Sequence, residues 1–500
     1  MSGLRRTGRV CSDLLAARSP AGYSAGMTPS PARIGLFGIG LDSYWPQFDG
    51  LHDHLIGYLG EIRARLERTG AAVTDAGLVD NPARADAAAA ELKAADVDLL
   101  VLFISTYALS STVLPVVQAV KVPVVVLNMQ PVPAIDYAAF NALGDRGRMT
   151  GEWLAHCQAC SVPEIASVFG RARIDFHIVT GHFQDDEAWG ELDEWVRATG
   201  AAKVMRHNRL GVLGHYYQGM LDVYTDMTVQ STTFGTRIDL IEIDELRELR
   251  DAVSAEQVDR KLAELSAVFD VSPECEPSEL ERAARTSVAL DLLVERHGLG
   301  SLAYYYEGTP GSAHEEIVTS VIAGNTLLTG RNVPVAGECE IKNAQAMKLM
   351  DALGAGGSFS EFYAMDFTDG VVMLGHDGPA HLAIAEGRVG LVPLPVYHGK
   401  PGKGLSIQMT VRHGPVTLLS VCHNSDGVFL LVAEGESVPG PVLQIGNTNS
   451  RYRFPIGVKD FINRWSAAGP SHHCAIGLGR QASVLAKVAA LFGIPVVRIC

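Results

Sequence analysis

The sequence lacks a long uninterrupted hydrophobic run, since no stretch reaches the roughly 18 apolar residues of a membrane-spanning helix. It is also short of basic residues: 41 Lys and Arg stand against 56 Asp and Glu, which gives a formal charge of −15. Binding to nucleic acid or to an anionic membrane requires a basic surface. The sequence therefore predicts neither a membrane span nor a nucleic-acid partner.

Cysteine is sparse, and the eight cysteines are scattered through the 500 residues. This spacing argues against a disulfide framework and predicts a reduced, cytoplasmic protein. Cys157 and Cys160 form the one CxxC motif. Because no second pair accompanies it, packing on a helix face explains this motif better than zinc binding does.

Several common catalytic motifs are absent. The sequence contains no GxxxxGK[ST] phosphate loop and no HExxH zinc motif. The segment GIGLDSYW, near the first expected strand, lacks the third glycine of a dinucleotide-binding loop. We therefore expect no bound nucleotide.

The sequence does contain a regular alternation of strand and helix patterns from Arg33 onwards. IGLFGIG, VDLLVLFIS and VPVVVLNM have the composition of buried strands, and residues between them have helical periodicity. DFHIVTG, AAKVMRH and RIDLIEID continue the pattern, which is typical of parallel, doubly wound sheets. After Gly354 the strands are closely spaced, and the Ser-Asp-Gly turn in TLLSVCHNSDGVFLLVAEG predicts an antiparallel hairpin.

These patterns predict an α/β protein with two doubly wound parallel-sheet, Rossmann-like domains followed by a mostly antiparallel, β-barrel-like domain. The expected segments are a disordered leader (1–32), an N-terminal α/β domain (33–170), a central α/β domain (171–330) and a C-terminal β-rich domain (331–500). We expect the C-terminal domain to carry the chemistry.

Carboxylates and imidazoles in the second half of the chain are the candidate functional groups. Glu338 follows an apolar segment, Glu361 lies in SFSEFYAMD, and His376 follows VVMLG. His472 and His473 lie between a Gly-Pro-Ser turn and a glycine-containing strand. Taken singly, each is better explained as a solvated or hydrogen-bonded residue. Together, two carboxylates and two imidazoles form a ligand set suited to Mn²⁺, Mg²⁺ or Co²⁺.

A divalent site of this kind suits the interconversion of an aldose and a ketose. A carboxylate removes a proton from the carbon beside the carbonyl, and a second acid protonates the neighbouring atom. A cation that contacts both oxygens stabilises the enediolate. The reaction requires no organic cofactor.

Several segments resemble those of a known family and occur in the same order. They are VDLLVLFISTYA, VVVLNMQP, VTGHFQDDEAW, GECEIKNA, FSEFYAMD, LGHDG and GPSHHCA. GECEIKNA is similar to the family's Gly-Glu-Gly-Asp-Trp-Lys stretch, and GPSHHCA is similar to its Gly-Thr-His-His. On these motifs the chain resembles the L-arabinose isomerase family, which is related to L-fucose isomerase.

The resemblance implies roles for the candidate residues. Glu338, Glu361, His376 and His473 would bind a divalent metal, with Mn²⁺ expected first and Mg²⁺ or Co²⁺ as alternatives. The two glutamates would also be the catalytic acid and base. His472 would carry a proton or donate a hydrogen bond to the substrate.

The resemblance also implies substrate contacts and an assembly. Tyr363, Gln130 and Tyr44 match sugar-contacting positions of the family, although aromatic packing or amide capping would explain them equally well. Family members place the N-terminal domain of one subunit over the metal site of its neighbour. We therefore expect a homo-oligomer, a trimer or hexamer, with active sites at subunit interfaces.

Some positions depart from the family pattern. Leu41 stands where the family has a glutamine, Asp377 replaces a methionine, and Ile341 replaces a tryptophan. We expect a metal-dependent ketol-isomerase acting on a small sugar, with L-arabinose to L-ribulose as the default reaction. The alternatives are a non-catalytic sugar-binding or sensor protein, and another metal-dependent carbonyl reaction such as aldol cleavage.

Overall fold

The structure is a computed structural model that describes residues 31–395 and 402–500. It contains two compact units, of which the first ends at Lys203 and the second runs from Val204 to Cys500. The domain boundaries expected at residues 170 and 330 stay predictions. Residues 1–30 of the expected leader lie outside the described residues.

The first unit is built on a five-stranded parallel sheet. Its strands are β1 (Arg33–Ile39), β2 (Ala72–Val79), β3 (Leu99–Phe103), β4 (Val124–Gln130) and β5 (Phe176–His182). Their spatial order is β2-β1-β3-β4-β5. The strand that contains DFHIVTG thus completes the first sheet.

The helices of this unit follow the strands in alternation. They are α1 (Leu51–Arg68), α2 (Pro82–Ala94), α3 (Ser110–Val120), α4 (Tyr137–Ala142), α5 (Arg146–Leu154), α6 (Gln158–Ala172) and α7 (Asp186–Arg206), with a 3₁₀ turn at Asp42–Tyr44. All five side chains of β3 are buried, which explains why its sequence is an unbroken apolar run.

The second unit begins with a four-stranded parallel sheet in the order β10-β9-β6-β7. Its elements up to residue 352 are β6 (Arg209–Gly214), a 3₁₀ turn (Leu221–Val223), α8 (Met227–Phe234), β7 (Arg237–Ile241), α9 (Ile243–Asp251), α10 (Ala255–Val268), β8 (Phe269–Val271), α11 (Pro277–His297), β9 (Ser301–Tyr305), α12 (Ala313–Val318), α13 (Ile322–Gly330), β10 (Val335–Ala336) and α14 (Ile341–Ala352).

A mixed sheet of seven strands follows. The elements are β11 (Gly356–Asp366), β12 (Val371–His376), a 3₁₀ turn (Leu382–Ile384), β13 (Val389–Leu394), β14 (Gly404–Gln408), β15 (Gly414–Asn424), β16 (Gly427–Val438), β17 (Thr448–Arg453), α15 (Val458–Ala467), β18 (His473–Leu478), α16 (Ala482–Phe492) and β19 (Val496–Arg498). The sheet order is β15-β18-β11-β12-β17-β16-β19, and β15 also pairs with β16.

Pairing within this sheet is antiparallel except where β19 joins β16. The predicted hairpin is confirmed, because β15 and β16 pair closely up to Asn424 and Gly427 on either side of the Ser-Asp turn. A smaller sheet contains β14, β13 and β8. The α/β class, with parallel sheets followed by a mostly antiparallel one, is therefore confirmed.

One local prediction is wrong. AAKVMRH, expected to be a strand, forms the last turns of α7, and the strand β6 begins at Arg209, just after that segment ends. The alanine, lysine, methionine and arginine of the segment favour helix. Between α10 and α11 the chain also forms the short strand β8, which is parallel to β13.

None of the helices in the described ranges combines the length and hydrophobicity needed to cross a membrane.

Candidate metal and substrate site

Four of the predicted side chains come from four different elements of the second unit. Glu338 lies in the turn between β10 and α14, Glu361 is on β11, His376 ends β12, and His473 begins β18. The register of the sheet pairs Glu361 directly with His473. Because directly paired residues of antiparallel strands project from the same face, the sheet itself brings this carboxylate and this imidazole together.

The turn that carries Glu338 has an uncommon backbone conformation. Glu338 and Cys339 have φ angles of 57° and 58°, a left-handed region that costs a residue other than glycine roughly 1–2 kcal/mol. Backbone hydrogen bonds hold the turn: the N–H of Cys339 donates to the carbonyl of Tyr304 at 2.9 Å, and the N–H of Glu340 donates to that of Gly337 at 3.0 Å. The strain is therefore offset by the surrounding structure, as is typical of functional sites.

The carboxylates and imidazoles converge at this turn. Oε2 of Glu338 lies 3.4 Å from Nε2 of His473 and 3.6 Å from Nε2 of His472. Among the residues that the structure describes, two groups could hold a metal ion, one of Glu338, His472 and His473 and one of Glu361, His376 and His473. Within each group the ligand atoms lie within 4.8 Å of one another, and His473 belongs to both.

Two of these atoms are buried and lack a hydrogen-bond partner. They are Oε2 of Glu338 and Nε2 of His473. A buried polar atom left without a partner costs about 1–3 kcal/mol. A divalent cation between these two atoms would satisfy both, and oxygen and nitrogen donors suit Mn²⁺ and similar ions. The residues present therefore fit such an ion.

A second set of carboxylates orients the imidazoles. Oε2 of Glu340 lies 2.5 Å from Nδ1 of His473, and Oδ2 of Asp222 lies 2.6 Å from Nδ1 of His472. An ionised carboxylate can only accept a hydrogen bond, so Nδ1 of each ring carries the hydrogen. This leaves Nε2 of His473 as a lone-pair donor directed at Glu338, in the arrangement that commonly supports metal-binding histidines.

His376 has a different hydrogen-bond pattern. Its Nδ1 accepts from the backbone N–H of Gly378 at 2.9 Å and lies 3.3 Å from Oδ1 of Asp377. Acceptance at Nδ1 places the hydrogen of the neutral ring on Nε2. Ligation through Nε2 would therefore require the ring to change its proton or its orientation, which distinguishes His376 from His473.

The charges in the site stabilise one another. Burial alone would raise the pKa of Glu338, but the positive charge of the neighbouring His472 acts against it, and the pKa is lowered. Burial alone would lower the pKa of His472, but Glu338 and Asp222 outweigh it and raise the pKa to about 9. Glu338 is therefore ionised and His472 protonated near neutral pH, so His472 is better suited to donate a proton than to bind a metal.

A cavity of about 300 Å³ adjoins these residues. Glu338, Glu361, His376 and His472 form part of its wall, and a tyrosine-rich segment at residues 304–306 forms another part. The cavity is large enough for a small sugar. Aromatic faces and hydrogen-bonding groups together are suited to a polyhydroxylated ligand.

Of the three predicted substrate residues, Tyr363 belongs to the second unit and the other two to the first. Tyr363 is on β11, two residues beyond Glu361, and its hydroxyl accepts a hydrogen bond from Nδ2 of Asn447 at 2.8 Å. Gln130 ends β4, where its Nε2 donates to the carbonyl of Val132 at 2.7 Å. Tyr44 closes the 3₁₀ turn after β1. Contact of these side chains with a substrate stays a prediction.

Sequence reasoning missed Glu340 and Asp222. Glu340 was visible as the second carboxylate of the Glu-Cys-Glu segment, where it lies two residues after Glu338. Asp222 has no comparable signal, because it lies in the short 3₁₀ turn Leu221–Val223, 250 residues from the histidine that it contacts.

No model of a known protein family matches the chain. Among curated proteins, L-arabinose isomerase of Klebsiella pneumoniae (strain 342) is 21% identical over 330 residues, which cover 62% of this chain and 64% of that protein. L-arabinose isomerase of Herpetosiphon aurantiacus is 23% identical over 357 residues, covering 67% and 69%. That of Aeromonas salmonicida is 24% identical over 153 residues, covering 30% and 31%.

The chain thus spans from 31% to 69% of the length of these three relatives. Among solved structures, a periplasmic solute binding protein of an ABC transporter from Actinobacillus succinogenes 130z, with bound D-allose, is 12% identical at a TM-score of 0.15. It covers 61% of this chain and 95% of its own, and a TM-score of this size carries no argument about fold or function.

Proposed function

We propose that this protein is a metal-dependent aldose–ketose isomerase of the L-arabinose isomerase type. The observation that carries the proposal is the pair of unpartnered buried atoms, Oε2 of Glu338 and Nε2 of His473, beside a cavity of about 300 Å³. Similarity to curated L-arabinose isomerases at 21–24% identity gives independent support.

Glu338, Glu361 and His473 would hold the cation, with His376 as the fourth ligand. Manganese is our first choice, and Mg²⁺ or Co²⁺ are the alternatives that the oxygen and nitrogen donors allow. When bound, the cation would polarise the two substrate oxygens and stabilise the negative charge of the enediolate.

The chain's own groups would move the protons. Glu338 or Glu361 would take the proton from the carbon beside the carbonyl and return it to the neighbouring carbon. His472, whose Nε2 lies 3.6 Å from Glu338 and 3.9 Å from Glu361, would protonate the carbonyl oxygen, and the proton that the neighbouring hydroxyl loses would return to His472. Asp222 would keep His472 protonated and aligned.

The proposal includes a substrate, an assembly and a location. L-arabinose is the default sugar, with L-ribulose as product. Tyr44, Gln130 and Tyr363 would contact it, with the first two contributed by a neighbouring subunit of a trimer or hexamer. We place the enzyme in the cytoplasm. We also propose that six strands of the mixed sheet close as a barrel, with β19 attached outside the ring, supported by the pairing of β15 with both β16 and β18.

The test uses metal-free protein and a panel of pentoses and 6-deoxyhexoses, with and without Mn²⁺, and measures ketose formation. The variants are Glu338→Gln and Glu361→Gln, with the exposed Glu274→Gln as a control. We expect conversion that depends on Mn²⁺, is lost in both site variants and is kept in the control. Metal binding without conversion of any sugar would favour another carbonyl reaction. Absence of metal binding would overturn the ligand assignment and favour a sugar-binding protein.

A further inference from the structure

Cys157 and Cys160 are in direct contact in the first unit. Their sulfur atoms lie 2.9 Å apart, with the thiol of Cys157 donating to that of Cys160. Cys157 occupies the N-cap of α6 and is 3% exposed, whereas Cys160 lies in the first turn and is exposed to solvent. One sulfur is therefore accessible to a reagent, and the other lies directly behind it.

Hydrogen bonds fix the backbone around this pair. Nε2 of Gln158 donates to the carbonyl of Ser105 at 3.1 Å, and the backbone N–H of Ala108 donates to Oγ of Ser161 at 3.0 Å. The hydroxyl of Thr106 donates to the carbonyl of Leu154 at 2.8 Å. These bonds attach the start of α6 to the loop after β3. The two sulfurs are thus held close before any reaction, which favours a reaction within the pair.

Metal binding does not account for the pair. The groups of side chains that could hold a metal ion, within residues 31–395 and 402–500, include neither cysteine. A zinc site would require two further ligands beside the CxxC motif. Two adjacent thiols at a helix N-terminus are instead typical of thiol–disulfide exchange.

We propose that Cys157 and Cys160 form a reversible thiol–disulfide couple that exchanges with small disulfides such as glutathione disulfide. The Cys160 thiolate attacks one sulfur of the small disulfide, which forms a mixed disulfide and releases one thiolate. Cys157 then attacks Sγ of Cys160, its proton passes to the departing thiolate, and a second small thiol leaves. Two cysteine thiols are oxidised to one disulfide, and one small disulfide is reduced to two thiols.

The accessibility of the sulfurs sets this order of events. Burial raises the pKa of the Cys157 thiol to about 12, and its contact with Cys160 adds to the increase. Cys157 therefore remains a protonated thiol until the neighbouring Cys160 has formed the mixed disulfide. Exchange begins at the exposed sulfur and ends at the buried one.

The couple lies at the edge of the sheet where ligands bind in this architecture. In the order β2-β1-β3-β4-β5, β2 is added on one side of β1 and β3 on the other, and ligands bind outside the carboxyl ends of the parallel strands at such a point. Tyr44 follows β1; burial raises the pKa of its hydroxyl, and Tyr107, Cys157 and Cys160 add to the increase. Oxidation would therefore alter the surroundings of Tyr44. Any effect on sugar turnover rests on the proposed function, but the couple itself does not.

The test treats the full-length reduced protein with glutathione disulfide, blocks remaining thiols with iodoacetamide, digests with trypsin and measures peptide masses. The sequence places Cys157 and Cys160 together between Arg148 and Arg171 with no other cysteine and no intervening Lys or Arg. We expect the 149–171 peptide to lose two hydrogens and two alkylation sites, and dithiothreitol to restore both.

The variants distinguish the two roles. Cys157→Ser should leave Cys160 as a stable glutathione adduct, because the second step is lost. Cys160→Ser should leave Cys157 unmodified, because the remaining thiol is buried. Cys500→Ser is the control and should form the disulfide as the wild type does. Circular dichroism before oxidation checks that each variant is folded. Two alkylated cysteines, or a lasting glutathione adduct, in the wild-type peptide would overturn the proposal whatever the sugar assay shows.

Discussion

Nδ1 of His473 lies 2.5 Å from Oε2 of Glu340, and the two side chains are 0% and 1% exposed. Glu340 is the N-cap of α14 and follows Glu338 by two residues. One short segment therefore supplies both the carboxylate that faces Nε2 of His473 and the carboxylate that holds Nδ1. Substitution of Glu338 therefore alters the contact at Nε2 of His473, and substitution of Glu340 alters the hydrogen bond at Nδ1 of the same ring.

Glu340→Gln tests this arrangement. The amide can present its NH₂ group as well as its oxygen, so it no longer fixes the hydrogen on Nδ1. We expect Mn²⁺ affinity to fall by about 10–100-fold, the usual cost of losing a carboxylate behind a metal-binding histidine. Isothermal titration calorimetry measures the affinity, and Glu274→Gln, at an exposed site, is the control. An unchanged affinity would show that Glu340 has only a packing role.

Asp222→Asn tests the partner of His472. Asp222 accepts from both the backbone N–H and Nδ1 of His472, at 2.9 and 2.6 Å, and it does not contact the proposed metal ligands directly. We expect kcat to fall by about 10–100-fold, part of the ~10²–10⁴-fold that a general acid contributes, with little change in Mn²⁺ affinity.

Asp226→Asn is the matched control for that experiment. Asp226 caps α8 four residues along the chain, and asparagine is an equally good N-cap. This variant should keep wild-type kcat. Equal losses of kcat in the two variants, or a larger loss of Mn²⁺ affinity than of kcat in Asp222→Asn, would contradict a role through His472.

Gly375→Ala tests how closely the strands pack beside the site. A methyl group on Gly375 would lie 2.2 Å from the carbonyl oxygen of Thr448 and 2.7 Å from the ring of Tyr363. Because backbone must move to relieve this overlap, we expect a loss of about 3 kcal/mol in the free energy of unfolding. Urea denaturation followed by circular dichroism measures it.

The control for this substitution is Gly390→Ala on β13. Its nearest neighbour, the carbonyl oxygen of Gln408, would be 3.4 Å from the new methyl group, an ordinary contact. We expect a change within about 0.5 kcal/mol, as for most substitutions that create no overlap. Similar unfolding midpoints for the two variants would show that β12 and β17 can separate at Gly375 without cost.

Asp98→Asn tests an electrostatic contribution in the first unit. Asp98 accepts from the backbone N–H of Arg33 at 2.8 Å and from Nζ of Lys203 at 2.9 Å. Burial alone would raise the pKa of Asp98, but these partners outweigh it and hold the pKa below the ordinary 3.8. The unfolded chain therefore binds the proton at higher pH than the folded chain does, so acid favours unfolding.

The ionised Asp98 stabilises the folded chain fully above about pH 5. This stabilisation is lost as the pH falls through 3.8, the ordinary pKa of aspartate, toward the lower pKa of Asp98 in the folded chain. We expect Asp98→Asn to lower the midpoint of urea unfolding at pH 7. Between about pH 5 and pH 3 the midpoint of the variant should fall less steeply than that of the wild type. The exposed Asp86→Asn should follow the wild type. Parallel curves for the wild type and Asp98→Asn would contradict the ion-pair account.

The sequence predicted much of the fold because buried strands have a clear composition. The strands β1, β3 and β4 are apolar runs bounded by helical periodicity, and the Ser-Asp turn before Gly427 identifies the β15–β16 hairpin. The short strand β8 could not be predicted, since three residues carry no periodicity and depend on pairing with β13. The domain boundary at residue 330, inside the second unit, stays a prediction.

The site was predictable only in part. Glu338, Glu361, His376 and His473 lie in motifs that a family resemblance makes visible. The structure groups Glu338 with His473, and Glu361 and His376 with the same His473, and their role as metal ligands stays a prediction. Glu340 and Asp222 contact histidines that are 133 and 250 residues away in sequence, so only the folded chain relates them. Glu340 and Asp222 orient these histidines only because folding brings them together, and no motif in the surrounding sequence marks either carboxylate.

The position of β18 has a consequence for synthesis of the protein. Residues 473–478 come near the end of the chain, yet β18 lies between β15 and β11 in the sheet. Until the ribosome has released these residues, β11 and β15 each keep one edge without its partner. Unpaired strand edges pair readily with strands of other chains. Nascent chains and C-terminally truncated products are therefore prone to aggregate through the unpaired edges of β11 and β15.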